Sequence, residues 1–258
     1  MKSEGAIYLA SGDKKQEARS LTEEEVTGAH IRLLKGGDRR VCFVSGSGEH
    51  SLEETGSRGY SQVKELLEKN NYKTQAISLL QKAEVPKECT VLLVGGPKFD
   101  YPQPQVDAVK SYVEAGGRAM LLVDPPLQLA RDTISENAAL ATLLTSSGVT
   151  PQKDLVLDTS GVGQLFGLGP EVPLVTSYES HAIVNTMKEM ATAFALTRSL
   201  DVKNGEKTSV DKLFSTTSNS FGTTNLISAS IALDPTKDKK GPFILGAAGT
   251  YNAGGAPG

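Results

Sequence analysis

The chain has 258 residues, a net charge of −3 at neutral pH and a pI near 5.7, which excludes the basic field that nucleic-acid binding requires. With 38% hydrophobic and 22% charged residues it has the mix of a globular protein, long enough to bury a full core as one large domain or two small ones. No apolar run reaches the roughly 18–20 residues of a membrane span, and Met1-Lys2-Ser3-Glu4-Gly5 lacks a signal-peptide core.

Residues 6–10 read as a strand entering a turn. Thr22-Glu23-Glu24-Glu25 is a capping box opening a helix to about Leu34, with Val26, Ala29, His30 and Leu33 on one face and Lys35-Gly36-Gly37 closing it. This strand–helix segment, 1–37, is too small for a core of its own. It is expected to pack on the main sheet or to be the remnant of an upstream domain.

From Asp38 the pattern sharpens. Runs 41–45, 90–95 and 118–124 are β-branched or aliphatic and stop at Gly or Asp-Pro, as fully buried parallel strands do. Between them fall a helix over 62–70 with Val63, Leu66 and Leu67 at helical spacing and an outer strand over 73–79. A second helix starts at Pro104, with Val106, Val109, Tyr112 and Val113 inward. Right-handed crossovers then give an α/β fold with an open, mainly parallel sheet and a flavodoxin- or Rossmann-like three-layer core over 38–126.

Residues 127–258 read as a less regular α/β continuation of the same domain, 38–258. A helix is expected over 137–146, strands at 155–158, 174–177, 193–198 and 213–216, a glycine-rich loop at 161–173, a helical turn or two over 183–190, a polar tract over 215–225 and a half-exposed strand over 226–234. A start in a strand and an end in Ala253-Gly254-Gly255-Ala256-Pro257-Gly258 suggest a piece of a longer protein.

Cys42 and Cys89 lie in or beside apolar strands, and the expectation is two buried small hydrophobes rather than a disulfide or a reactive thiol. The redox compartment stays undecided on that reading.

The turn Ser45-Gly46-Ser47-Gly48-Glu49-His50 follows the first central strand, at the carboxyl edge where open α/β sheets bind ligands. Its glycines let backbone N–H groups approach an anion, and Glu49 or His50 has acid–base chemistry. It lacks the third glycine of a dinucleotide fingerprint and the Gly-Lys-Ser/Thr of a phosphate loop, so the plain alternative is a tight turn with a solvated Glu-His pair. Asp124, before Pro125-Pro126, brings a carboxylate near the same edge, as a base, a metal ligand or a loop cap.

Histidines 30, 50 and 181 are too scattered for a metal motif. Ser47 has glycines directly beside it rather than at nucleophile-elbow spacing, and Cys42 is inside a strand. Tyr178, His181 and Arg198 make a second candidate polar patch. No catalytic set, metal or cofactor is expected.

Together, residues 41–49, Gly59-Tyr60, Leu66-Leu67-Glu68, Asn71-Tyr72, Val85-Pro86, 90–95, Gly96-Pro97, Tyr112-Val113-Glu114-Ala115-Gly116-Gly117 and Leu122-Val123-Asp124-Pro125 resemble the GldG-like domain. That domain occurs in auxiliary proteins of uncharacterised ABC-type transport systems, in bacterial gliding-motility proteins and in a ciliary intraflagellar-transport subunit. Stretches 178–183, 195–200 and 216–221 extend the likeness more loosely. Ser47 stands where the family turn commonly has His, and Phe221 where it often has Trp.

The resemblance implies an extracytoplasmic, periplasmic domain of a membrane-anchored protein, working with ABC permease and ATPase subunits and continuing past this C-terminus to a membrane helix. It supplies no catalytic residues. The expected function is a non-catalytic binding or interaction module. Its edge for a partner, a small molecule or a glycan comprises Gly46, Ser47, Gly48, Glu49, His50, Gly96, Pro97 and Asp124. The alternatives are a hydrolase of glycans or esters using Glu49, His50 and Asp124, and a ligand-free scaffold.

Overall fold

The computed structural model describes residues 7–18, 20–34, 39–56, 58–129, 132–225, 234 and 236–252. Strands β1 (Ile7–Ser11) and β2 (Lys14–Ala18) form an antiparallel hairpin, and α1 (Glu23–Leu34) packs on it. Ala18, Ala29 and Leu33 are buried while His30 is exposed. Thr22 Oγ1 accepts the Glu25 N–H at 3.4 Å, the expected N-terminal cap. The closing turn expected at Lys35-Gly36-Gly37 lies outside the described residues.

The aliphatic runs then form a parallel sheet of β3 (Arg39–Val44), β4 (Tyr72–Ile77), β5 (Val91–Gly95) and β6 (Arg118–Leu122) in the order β4-β3-β5-β6. This is the order a flavodoxin-like reading expects for four strands, with β4 outermost. The period of two sorts the side chains. Cys42, Val44, Leu92 and Val94 meet Val106 and Val109 of α3 (Gln103–Glu114) and Leu140 of α4 (Ala138–Ser146) on one face. Val41, Phe43 and Leu93 meet Leu52, Tyr60, Leu67 and Tyr72 on the other.

The expected three-layer regularity is corrected. The second face has one helix, α2 (Ser61–Lys69), which buries no residue fully and leaves Leu66 62% exposed. On β6, Met120 and Leu122 share that face with their partners Leu93 and Gly95 and stay 52% and 37% exposed. The chain sends both α3 and α4 to the first face, so the second is only half covered.

The cysteine expectation is also overturned. Cys42 and Cys89 form a disulfide, with Cα atoms 5.6 Å apart. Parallel pairing of β3 with β5, Val41 opposite Val91, brings the chain just ahead of β5 alongside β3. That contact depends on which strand sits between which, and local patterns do not carry it.

After β6 the architecture becomes mostly antiparallel. Short strands β7 (Gln128–Leu129) and β8 (Asp132–Thr133) pair before α4. The strands that follow are β9 (Val149–Pro151), β10 (Leu155–Asp158), β11 (Leu174–Val175), β12 (Ser177–Tyr178), β13 (Thr192–Ala193), β14 (Leu200–Val202), β15 (Thr208–Ser215), β16 (Ser220–Thr223), β17 (Lys239–Lys240) and β18 (Ile244–Tyr251). They form a five-stranded sheet, β12-β15-β18-β14-β9, a three-stranded one, β10-β16-β17, and the pair β11-β13.

The polar tract near 215–225 contains a true strand, because its hydroxyls bond one another. Ser220 and Thr216 Oγ atoms are 2.6 Å apart, Ser220 also donates to the Thr217 carbonyl at 2.7 Å, and Thr216 accepts the Phe243 N–H at 2.8 Å. The strand expected over 226–234 falls, save Asp234, outside the described residues.

Candidate functional site

The turn after β3 is built around its own carboxylate. Gly48 has φ +83°, and a Cβ there would stand 2.8 Å from Lys98 Cβ, so glycine is required. The Ser47 carbonyl accepts the N–H groups of Lys98 and Phe99, both at 2.9 Å. Glu49 curls back. Its Oε2 accepts the Ser47 N–H at 2.7 Å and its Oε1 accepts the Tyr101 hydroxyl at 2.5 Å. Burial, then the Glu49 hydrogen bond and charge, push the Tyr101 hydroxyl far above its ordinary range, so it stays a donor. A side chain thus takes the N–H that an anion cradle would offer, and Gly46, Ser47, Gly48 and Glu49 form a structural knot.

Pro97 belongs to the same framework. Its carbonyl accepts Asn137 Nδ2 at 3.3 Å, while Asn137 Oδ1 accepts the Tyr101 N–H at 2.9 Å. Asn137 adopts a left-handed backbone at φ 51°, and the Asp100 carboxylate accepts its N–H at 2.8 Å.

One step further along, three polar side chains converge on Gly95-Gly96. The His50 N–H bonds the Gly95 carbonyl at 3.0 Å, and its ring lies 5.3 Å from that of Tyr60. A Cβ on Gly95 would be 2.5 Å from Tyr60 Cε2. A Cβ on Gly96 would be 2.9 Å from His50 Nε2 and 3.1 Å from Asp124 Oδ2. The two glycines let an imidazole, a phenol and a carboxylate close over the backbone. Among the described residues, none of these three side chains makes a hydrogen bond within the protein, and their polar atoms are not sealed from solvent. The Glu49 carboxylate and the Pro97 carbonyl of the same edge are, by contrast, engaged within the fold, which sets this cluster apart from them.

Its electrostatics follow from partial burial. Desolvation raises the Asp124 carboxyl above the ordinary carboxylate value, against the attraction of His50, Arg198 and Lys98. Burial, and then the Asp124 charge, push the Tyr60 hydroxyl up to about 12. An acid raised in the folded state costs stability once ionised: the cost is absent below its unfolded value and complete above its folded one. Asp124→Asn therefore stabilises the protein at neutral pH, and the gain vanishes as pH falls below the ordinary Asp range. Urea unfolding of both proteins across that range measures it; a pH-independent difference would show that the carboxyl is not strained.

The second expected patch does not assemble around Arg198. The Tyr178 hydroxyl shares a short hydrogen bond with Thr192 Oγ1, and His181 Nδ1 accepts the Ile183 N–H at 3.2 Å. β12, which holds Tyr178, and β14, just after Arg198, are separated by β15 and β18, about 14 Å of sheet. Arg198 is 3% exposed and donates instead to the carbonyls of Asp124 at 3.1 Å, Gln152 at 2.5 Å and Pro151 at 3.4 Å.

A cavity of about 400 Å³ lies elsewhere, lined by Thr150, Gln152, Lys153, Asp154, Gly222 and Lys239 among others. It holds none of the three converging groups, so the chemistry points to the Gly95-Gly96 cluster. Tyr60 enters the candidate site only through the structure: with Gly59 it helps carry the family likeness, but nothing in the sequence gives it a place at the edge. Among the described residues no group of three or more His, Cys, Asp or Glu could hold a metal ion, and no helix is long and apolar enough to cross a membrane.

Comparison with known families matches residues 38–251 to the one described as ABC-type uncharacterized transport system. Among solved structures, the mmIFT52 N-terminal domain is similar in fold, with a TM-score of 0.54 and 16% identity over 70% of this chain and 74% of that one. A putative thua-like protein from Bacteroides uniformis ATCC 8492 aligns at a TM-score of 0.43 and 12% identity, over 70% of this chain and 69% of that one. A search of curated proteins found no match.

Proposed function

Given that the chain belongs to the ABC-type uncharacterized transport system family, we propose that it is the extracytoplasmic, non-catalytic binding domain of a membrane-anchored auxiliary subunit, working beside ABC permease and ATPase subunits. The Cys42–Cys89 disulfide supports an oxidising compartment. The binding role rests on one observation: His50, Tyr60 and Asp124 meet at the carboxyl edge of a parallel sheet with their hydrogen-bonding capacity unspent.

The donor and acceptor inventory favours a hydroxyl-bearing small molecule or a glycan. Asp124 accepts, Tyr60 donates throughout the neutral range, and His50 does either. The rings of His50 and Tyr60 offer apolar faces, and Phe99, 64% exposed, stands beside Gly48. The hydrolase alternative keeps His50 and Asp124 but loses Glu49, both of whose oxygens are engaged.

Titration of the protein with neutral mono- and oligosaccharides, followed by NMR, tests the reading. Binding is expected to weaken about tenfold or more in Asp124→Asn and Tyr60→Phe. Affinity equal in all three proteins, or none at all, would sink the ligand role. Cleavage during the titration would favour the hydrolase.

A further inference from the structure

We infer that the ligand of the His50–Tyr60–Asp124 edge is amphipathic, with a hydroxylated head in that cluster and an apolar chain lying along β6. This rests on the binding role proposed above and adds the second half of the ligand. It starts from the bare part of the parallel sheet. Arg118, Met120 and Leu122 alternate onto the second face of β6 and are exposed there, while Ala119 and Leu121 pack into the core on the first. The helix of the second face, α2, packs against β4, with β3 and β5 between it and β6.

The apolar pair is continuous with the polar cluster. Leu122 is the register partner of Gly95, the residue whose missing side chain makes room for the Tyr60 ring, and Asp124 follows two residues after Leu122. Leu122 thus stands one strand spacing, about 4.8 Å, from the backbone that Tyr60 covers. Met120, opposite the buried Leu93, lies about 7 Å further back along the same strand. Arg118 ends the row at the other side. From Asp124 backward, β6 therefore presents an acceptor, two apolar side chains and a cation.

Size and position select the occupant. A stable protein interface takes about 800 Å² and some 20–30 residues from each partner, whereas this row is two apolar side chains long and bounded at both ends by charge. An unsubstituted sugar would satisfy the cluster and leave Met120 and Leu122 in water. One apolar chain attached to a hydroxylated head covers them while the head keeps its hydrogen bonds to Asp124 and Tyr60.

Methyl and octyl β-glucosides and β-galactosides test this by NMR, the octyl compounds kept below their micelle-forming concentration. The octyl compound is expected to bind about tenfold or more tighter than the methyl compound with the same head. It should also move the methyl signal of Met120, one of four methionines, which the methyl compound leaves in place. Met120→Asp should erase the gain from the chain and spare the affinity for the methyl compound, whereas Asp124→Asn should weaken both. Equal affinity for the two chain lengths, with the Asp124→Asn loss intact, overturns the amphipathic ligand and leaves the binding role standing. Octyl binding that Asp124→Asn does not weaken overturns the inference too, because chain and head would then not share one site. So does self-association that Met120→Asp abolishes, in place of octyl binding. Binding of neither compound overturns both readings.

Discussion

Replacing Arg198 by alanine is expected to lower the unfolding free energy by about 3 kcal/mol or more. The guanidinium is nearly inaccessible and spreads its planar fork over carbonyls from two regions: Asp124, just past β6, and Pro151 and Gln152 at the end of β9. It therefore joins the parallel sheet to the antiparallel half. Alanine leaves three carbonyls without a donor and a cavity where the fork lay. Arg198→Lys keeps the charge, but one ammonium cannot reach diverging acceptors as a fork does, and partial recovery is expected. Urea unfolding followed by circular dichroism reads the effect. A loss under 1 kcal/mol in the alanine variant would mean that water replaces the fork at little cost and that the two halves hold together without it.

Removing the disulfide with Cys42→Ala and Cys89→Ala together is expected to cost about 2–4 kcal/mol. The bridge closes a loop with a sequence separation of 47, for which loop-closure entropy gives about 4 kcal/mol as a ceiling. Cys42 is 0% and Cys89 5% exposed, so dithiothreitol should act on the native protein slowly, through opening of the core. Reductant should lower the urea midpoint of the unsubstituted protein and leave the double variant unchanged. Equal midpoints for the oxidised and reduced protein would remove the bridge from any account of stability.

The parallel core was legible because its evidence is local. Val91-Leu92-Leu93-Val94 ending in glycine can hardly be anything but a buried strand, and Val106, Val109 and Tyr112 mark one face of α3. The disulfide was not legible, because β3 and β5 meet only through a non-local pairing. The second half resisted for another reason. Several of its strands are two residues long, too short for any period to show, and β16 hides in a polar tract whose hydroxyls satisfy one another.

At the site, His50, Gly96 and Asp124 were read as one edge and do converge. Glu49, in the same motif, turned inward to a tyrosine 52 residues away. Arg198 looked like a partner for Tyr178 because sequence lists polar residues without saying which way a sheet carries them.

Asp124 faces two ways. Its carboxylate looks toward His50 and Tyr60, while its carbonyl is gripped by Arg198, whose other nitrogens hold the end of β9. One guanidinium donates to the Asp124 carbonyl and to the Gln152 carbonyl, so the strand end that carries the carboxylate is held from the antiparallel half, and the position of the candidate edge depends on a side chain that is not part of it.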